Sequence, residues 1–146
     1  MQRPLFIKWN EQNETGIAII DEQHKGIVSI INSFYYLMSM GGGGNILYSC
    51  ISETMKTYSR IHFVTEEELL EMSSYEDIEA HRAMHRDLTR EIERIECKAI
   101  RNNDSKPLLD FLKKWWTNHI NKQDQLYAPH LRDYARIGYV TDIEEL

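Results

Sequence analysis

The sequence predicts an all-α fold, an up-down-up-down antiparallel four-helix bundle with an N-terminal arm, and three observations predict it. Apolar residues recur at steps of three and four along four segments. No segment shows a sustained period of two flanked by hairpin turns. The segments are separated by short polar or glycine breaks, and short links make successive helices antiparallel neighbours. With 146 residues the chain is about one domain. It divides into an arm (1–20), a bundle (21–126) and a tail (127–146).

The arm carries Phe6, Ile7, Trp9 and Ile17, which are expected to pack on the bundle. The first helix starts near Asp21, a candidate N-cap, and sends Ile20, His24, Val28, Ile31, Tyr35 and Met38 down one side. It stops at Gly41-Gly42-Gly43-Gly44, where backbone entropy disfavours helix. No GK[ST] follows these glycines, so they read as a linker and not a nucleotide loop. The second helix, with Asn45 as candidate cap, aligns Leu47, Ile51, Met55, Tyr58, His62, Glu66 and Leu69 and runs to about Met72. Ser73-Ser74-Tyr75-Glu76 matches a capping box that would open the third helix. That helix turns Ile78, His81, His85, Leu88, Ile92 and Ile95 inward. Asn102 to Ser105 is a polar break, and Pro107 suits the first turn of a fourth helix. The fourth helix buries Leu108, Phe111 or Leu112, Trp115 and His119. Each helix has roughly 20 residues, about 30 Å.

Seventeen basic against 23 acidic residues give a net charge of −6, in no long block of either sign, which argues against nucleic acid as a partner. There is no signal-peptide core and no apolar run long enough for a membrane span, so a cytoplasmic protein is expected. Cys50 and Cys97 lack metal or redox spacing and are expected to be two buried thiols.

Polar residues on the apolar stripes need a reason, because burying an imidazole or carboxylate without a partner costs roughly 2 to 7 kcal/mol. Here they occur on every helix: His24, then His62 with Glu66, then His81 with His85, then His119 with Asp124 as a further candidate. One inward histidine is more often a satisfied core residue than a ligand. Five in a small bundle, with His62/Glu66 and His81/His85 at i,i+4 spacing, suit chelation of one ion or of adjacent ions. Five imidazoles and two carboxylates are too many donors for one tetrahedral zinc and include no thiolate. They suit two six-coordinate first-row ions bridged by carboxylates, with iron or manganese fitting and other metals not excluded. The Glu-x-x-His motif of ferritin-type bundles is missing from the inward faces.

The pattern resembles the hemerythrins, and among them the bacterial branch, the bacteriohemerythrins. The matching stretches are Trp9-Asn10, GIAIIDEQH ending in His24, HFVTEEELL from His62, YEDIEAHRAMH ending in His85, and NHINKQD with His119 and Asp124. They cover nearly the whole chain in the family's order. The resemblance implies a non-haem di-iron centre with an oxo or hydroxo bridge. His81, His85 and His119 would hold one iron and His24 and His62 the other, with Glu66 and Asp124 bridging. The second iron would then have one open position, for dioxygen. The family usually has a leucine near this pocket three positions before the last histidine, where this chain has Trp116. Either Trp116 fills the pocket, or it rotates outward and Trp115 is the packed ring. His130 has no counterpart in the motif and reads as a surface residue.

The resemblance further implies reversible dioxygen binding, for carriage, storage or delivery. The alternative is an oxygen- or redox-sensory domain of a bacterial signalling protein, its output domain joined through a linker helix that Thr141–Leu146 would begin. A di-iron oxidase or peroxidase is the third and least favoured reading, because no unassigned inward Glu, Asp, His or Lys is evident as a proton donor, and an enzyme is not expected. One point of geometry is unresolved by a regular helix. An offset of five turns Asp124 roughly 140° away from His119. If both serve one site, a π-type bulge or loosened turn must lie between them.

Overall fold

The computed structural model describes residues 6–41 and 44–135, without the side chains of 44–48. The readings placed on Asn45, Leu47, glycines 42–43, residues 1–5 and the tail from 136, including Thr141–Leu146, lie outside the described residues.

Four helical rods form the bundle. The first three are α1 (Ala18–Ser39), α2 (Gly44–Met72) and α3 (Ile78–Asn102). The fourth is one continuous run in three parts: α4 (Lys106–Trp115), a π-helical segment (Trp116–Gln123) and α5 (Asp124–Tyr134). α1 packs on α2 and α4, and α3 packs on α2 and α4, which closes the ring of neighbours. Among the described residues there is no strand, and no helix is long and apolar enough to cross a membrane.

Several boundaries differ from expectation for local reasons. α1 begins three residues before Asp21, which is therefore no N-cap. Its buried carboxylate accepts from the Thr15 and Gly16 amides and the Thr15 hydroxyl, and so ties down the end of the arm. The Ser73–Glu76 capping box does not form. Ser74 sits at φ 55 and the Tyr75 amide bonds back to the Leu70 carbonyl at 2.9 Å, so the serines end α2 instead of opening α3. The last helix does not stop at 126. It continues to Tyr134 with Pro129 inside it.

The arm lies along the bundle as expected. Asn32 clasps the Ile7 backbone by both its amide N–H and carbonyl, 2.8 Å each, and Phe6 stacks on Tyr35. Farther along, Asn13 donates to Asn121 at 2.6 Å, Gln125 donates to the Asn13 and Glu14 carbonyls, and Arg132 donates to the Thr15 carbonyl. The arm thus spans the π segment like a splint.

Two apolar clusters make the core. One gathers Ile27, Val28, Ile31, Met55, Leu112, Trp115 and their neighbours; the other gathers Ile17, Ile20, Leu70, Tyr127 and Leu131. A buried polar layer separates them on every helix. Cys50 and Cys97, expected inside, are both exposed. Each lies near apolar positions that pack on the core, half-buried Ile51 for one and half-buried Ile95 with buried Ala99 for the other, and the helical rotation that turns those inward turns the thiols outward.

Candidate metal centre

The polar layer consists of the seven donors singled out above. His24, His62, Glu66 and Asp124 are fully buried, and His81, His85 and His119 nearly so. α1 supplies one imidazole, α2 an imidazole and a carboxylate one turn apart, and α3 two imidazoles one turn apart. The last rod supplies His119 and Asp124, five apart, and here the helix departs from α geometry. Residues 116–123 are π-helical and the Asp124 amide bonds to the His119 carbonyl. A ladder that reaches five residues back stacks residues five apart. His119 Nε2 consequently lies 3.2 Å from Asp124 Oδ1, as the required distortion predicted.

The two carboxylates divide the layer. Glu66 sends Oε1 toward His62 Nε2 at 3.0 Å and His24 Nε2 at 3.8 Å, and Oε2 toward His81 Nε2 at 3.0 Å and His85 Nε2 at 3.1 Å. Asp124 sends Oδ2 toward His24 Nε2 at 3.1 Å and His62 Nε2 at 3.6 Å, and Oδ1 toward His119 and His81. Each carboxylate therefore gives one oxygen to a two-histidine half and the other to a three-histidine half. Two groups of donor atoms, Glu66 with His81, His85 and His119, and His24 and His62 with Glu66 and Asp124, each gather within 4.8 Å.

The arrangement fits cations and is poorly satisfied without them. Neither carboxylate has a Lys or Arg partner among the described residues. Nε2 of His85, Nε2 of His119 and Oδ1 of Asp124 are buried without a hydrogen-bond partner, at a cost of about 1–3 kcal/mol each. The His62 Nδ1–H donates to the Gln23 carbonyl oxygen at 3.1 Å, so the neutral ring aims an Nε2 lone pair at Glu66 and at His24 Nε2, 3.2 Å away. Protonation relieves this clash in part. Burial opposes a charge on His62, but Glu66 and Asp124 outweigh it and push its pKa up to about 10. Burial likewise opposes ionisation of Glu66, yet the surrounding histidines hold it well below the usual carboxylate range. His119 goes the other way, pushed down to about 4 by burial that Asp124 and Glu66 do not offset.

Three residues around the layer are not evident from sequence. Tyr127, fully buried on α5, donates its hydroxyl to Glu66 Oε1 at 2.5 Å. Burial, with Glu66 and Asp124 nearby, raises its pKa well above 10, so the phenol keeps its proton. Its place three residues after Asp124, on the same face, is the signal that would have found it, had the helix been continued past 126. Gln23 and Glu67 stand one residue from His24 and Glu66 and orient His62 and His85 respectively. Both tryptophans are buried, on opposite halves. Trp116 meets His24 edge-on with centroids 6.2 Å apart, and Trp115 faces Phe63 and His119. His130 is no free surface residue: its Nε2 lies 3.0 Å from both the carbonyl and hydroxyl oxygens of Ser73.

A family model described as the hemerythrin HHE cation binding domain matches residues 15–131. A bacteriohemerythrin of Stenotrophomonas maltophilia is 29% identical over 139 residues, which cover 90% of this chain and 88% of the relative. One from Pseudomonas aeruginosa is 30% identical over 125 residues, covering 85% and 80% respectively. A crystal structure of wild-type hemerythrin matches with a TM-score of 0.74 at 25% identity, covering 86% of this chain and 98% of the other.

Proposed function

The chain belongs to the hemerythrin family, and from that premise we propose that it is a non-haem di-iron protein that binds dioxygen reversibly. One observation carries the reading: each of two buried carboxylates offers one oxygen to His24 and His62 and the other to the set of His81, His85 and His119. His81, His85 and His119 would hold one iron, His24 and His62 the other, and Glu66 and Asp124 would bridge. Held there, a ferrous pair would supply the two electrons that reversible dioxygen binding needs. The half with His24 and His62 has one protein donor fewer than the half with His81, His85 and His119, so dioxygen would be bound on the two-histidine half.

The protein's own residues serve binding over catalysis. Tyr127 holds Glu66 in place by donating its phenolic proton to Oε1 in a hydrogen bond. The apolar clusters on both sides of the layer exclude water, which otherwise carries protons to a bound reduced oxygen species. Trp116 stands edge-on to His24, on the two-histidine half, where its ring would govern access of dioxygen.

Iron-loaded, reduced protein cycled between air and low oxygen tests this. A charge-transfer band that appears and disappears over repeated cycles is the expected result. Immediate irreversible conversion to the ferric form would replace binding with a redox-sensing or enzymatic role, and one zinc with no iron would overturn the centre itself.

A further inference from the structure

The five imidazoles are alike in chemistry, but what stands behind them is not. The His85 Nδ1–H donates to Glu67 Oε1 at 2.7 Å, a carboxylate. The His62 Nδ1–H donates to the neutral amide oxygen of Gln23 at 3.1 Å. The Gln23 amide cannot turn over freely, because its N–H₂ donates at 2.9 Å to the Thr65 hydroxyl, whose own proton goes to the Ile61 carbonyl. Nδ1 of His24 and Nδ1 of His119 have no partner. A charged acceptor therefore backs the three-histidine half and a neutral one the two-histidine half. Glu67 is steadied by Arg82, 3.9 Å from its second oxygen, which also binds Glu71 and Glu79. Phe63 stacks on the His85 ring at 4.0 Å and 16° and fixes its plane independently of that hydrogen bond.

A hydrogen bond from Nδ1–H to a carboxylate draws the proton away and makes Nε2 a stronger donor, which favours the more highly charged state of a bound ion. We propose that Glu67 is a positioning residue that adds an electronic difference to the two halves, favouring ferric iron at His81, His85 and His119. The first electron taken up by a fully ferric centre then goes to the ion held by His24 and His62. The step is a one-electron transfer from a chemical reductant such as dithionite: the donor is oxidised, one ferric ion becomes ferrous, and no other bond forms or breaks. This inference rests on the di-iron reading.

The test compares wild type, Glu67→Gln and Gln23→Glu, with iron per chain determined first. Wild type that fails to hold two irons would sink the di-iron reading and not this refinement of it. With two irons present, stepwise reduction followed by Mössbauer and EPR spectroscopy should show a localised half-reduced state in wild type. In Glu67→Gln the second reduction should move to higher potential, and in Gln23→Glu the first should move lower, so both variants narrow the gap between the steps. An unchanged gap and unchanged localisation in both would overturn the proposal. Should Glu67→Gln lose its iron, nitrogen-detected NMR of the metal-free proteins decides instead. The expected result is a strongly downfield His85 Nδ1 proton in wild type that moves upfield in the variant; a proton that does not move would overturn the proposal.

Discussion

Tyr127 and Trp116 are the two side chains whose contributions separate most cleanly. Tyr127→Phe keeps the ring in its apolar cluster and removes only the hydrogen bond to Glu66. Hydrogen bonds to charged groups contribute about 1.5–3 kcal/mol, so urea denaturation of the metal-free variant should show a loss of about that size, and a chelator should strip iron from the loaded variant faster. Equal stability and equal stripping rates would leave the bond without a role. Trp116→Leu should raise both the oxygen on-rate and the autoxidation rate in stopped-flow measurements; identical rates would reduce the indole to packing. Six of the seven donors of the layer were legible in the sequence because a polar residue on an apolar stripe is conspicuous; Asp124, off that stripe in a regular helix, was reached only through the family resemblance and the distortion it required. Gln23 and Glu67 were not, since a polar residue at the edge of a stripe looks the same whether it meets solvent or the back of an imidazole.

Within the fourth rod, the π segment acts as a one-residue insertion absorbed locally: five residues make about the turn that four make in an α-helix. Deleting the exposed Lys122 should therefore restore α geometry with Asp124 and Tyr127 still inward, and two irons per chain should remain. Inserting one alanine after Lys122 should instead swing both through roughly 100° and abolish iron binding. If both variants hold iron, or neither does, the register argument is wrong. Between α1 and α2, Gly26 permits a close approach, since a Cβ there would lie 2.2 Å from the Tyr58 hydroxyl. Gly26→Ala should lower stability by about 1–3 kcal/mol, as overpacking does, and Tyr58→Ala in the same chain should recover part of that loss. Helix existence and order were legible from periodicity. The ends were less so, because Ser74 adopts a left-handed turn that composition does not announce and Asp21 spends its carboxylate on the arm.

Across the molecule, the metal-free layer ties stability to pH from both sides. His62, raised to about 10, contributes stability that is complete below its ordinary 6.5 and disappears as pH rises through 10. His119, lowered to about 4, stays neutral when the unfolded chain would protonate it, so stability falls as pH drops from 6.5 through 4. The melting temperature of metal-free protein should therefore peak near pH 6.5 and decline toward 4 and toward 10. Iron held by the folded chain in place of the protons at these atoms would raise the melting temperature and flatten the alkaline decline. A metal-free profile without a maximum between 4 and 10 would contradict the charge balance of the layer.

The splint between arm and last rod also orders events in time. Asn13 meets a partner 108 positions later, Gln125 reaches back 112 and Arg132 reaches back 117, while His24 and Asp124 face each other across 100. As the chain is synthesised, His24, His62, Glu66, His81 and His85 all leave the ribosome before His119 and Asp124. A chain made only through His85 thus carries five of the seven donors and lacks both oxygens of Asp124. Only when the chain has been made through Arg132 can the arm and the π segment lock together, so the matched set of donors is completed by the last rod.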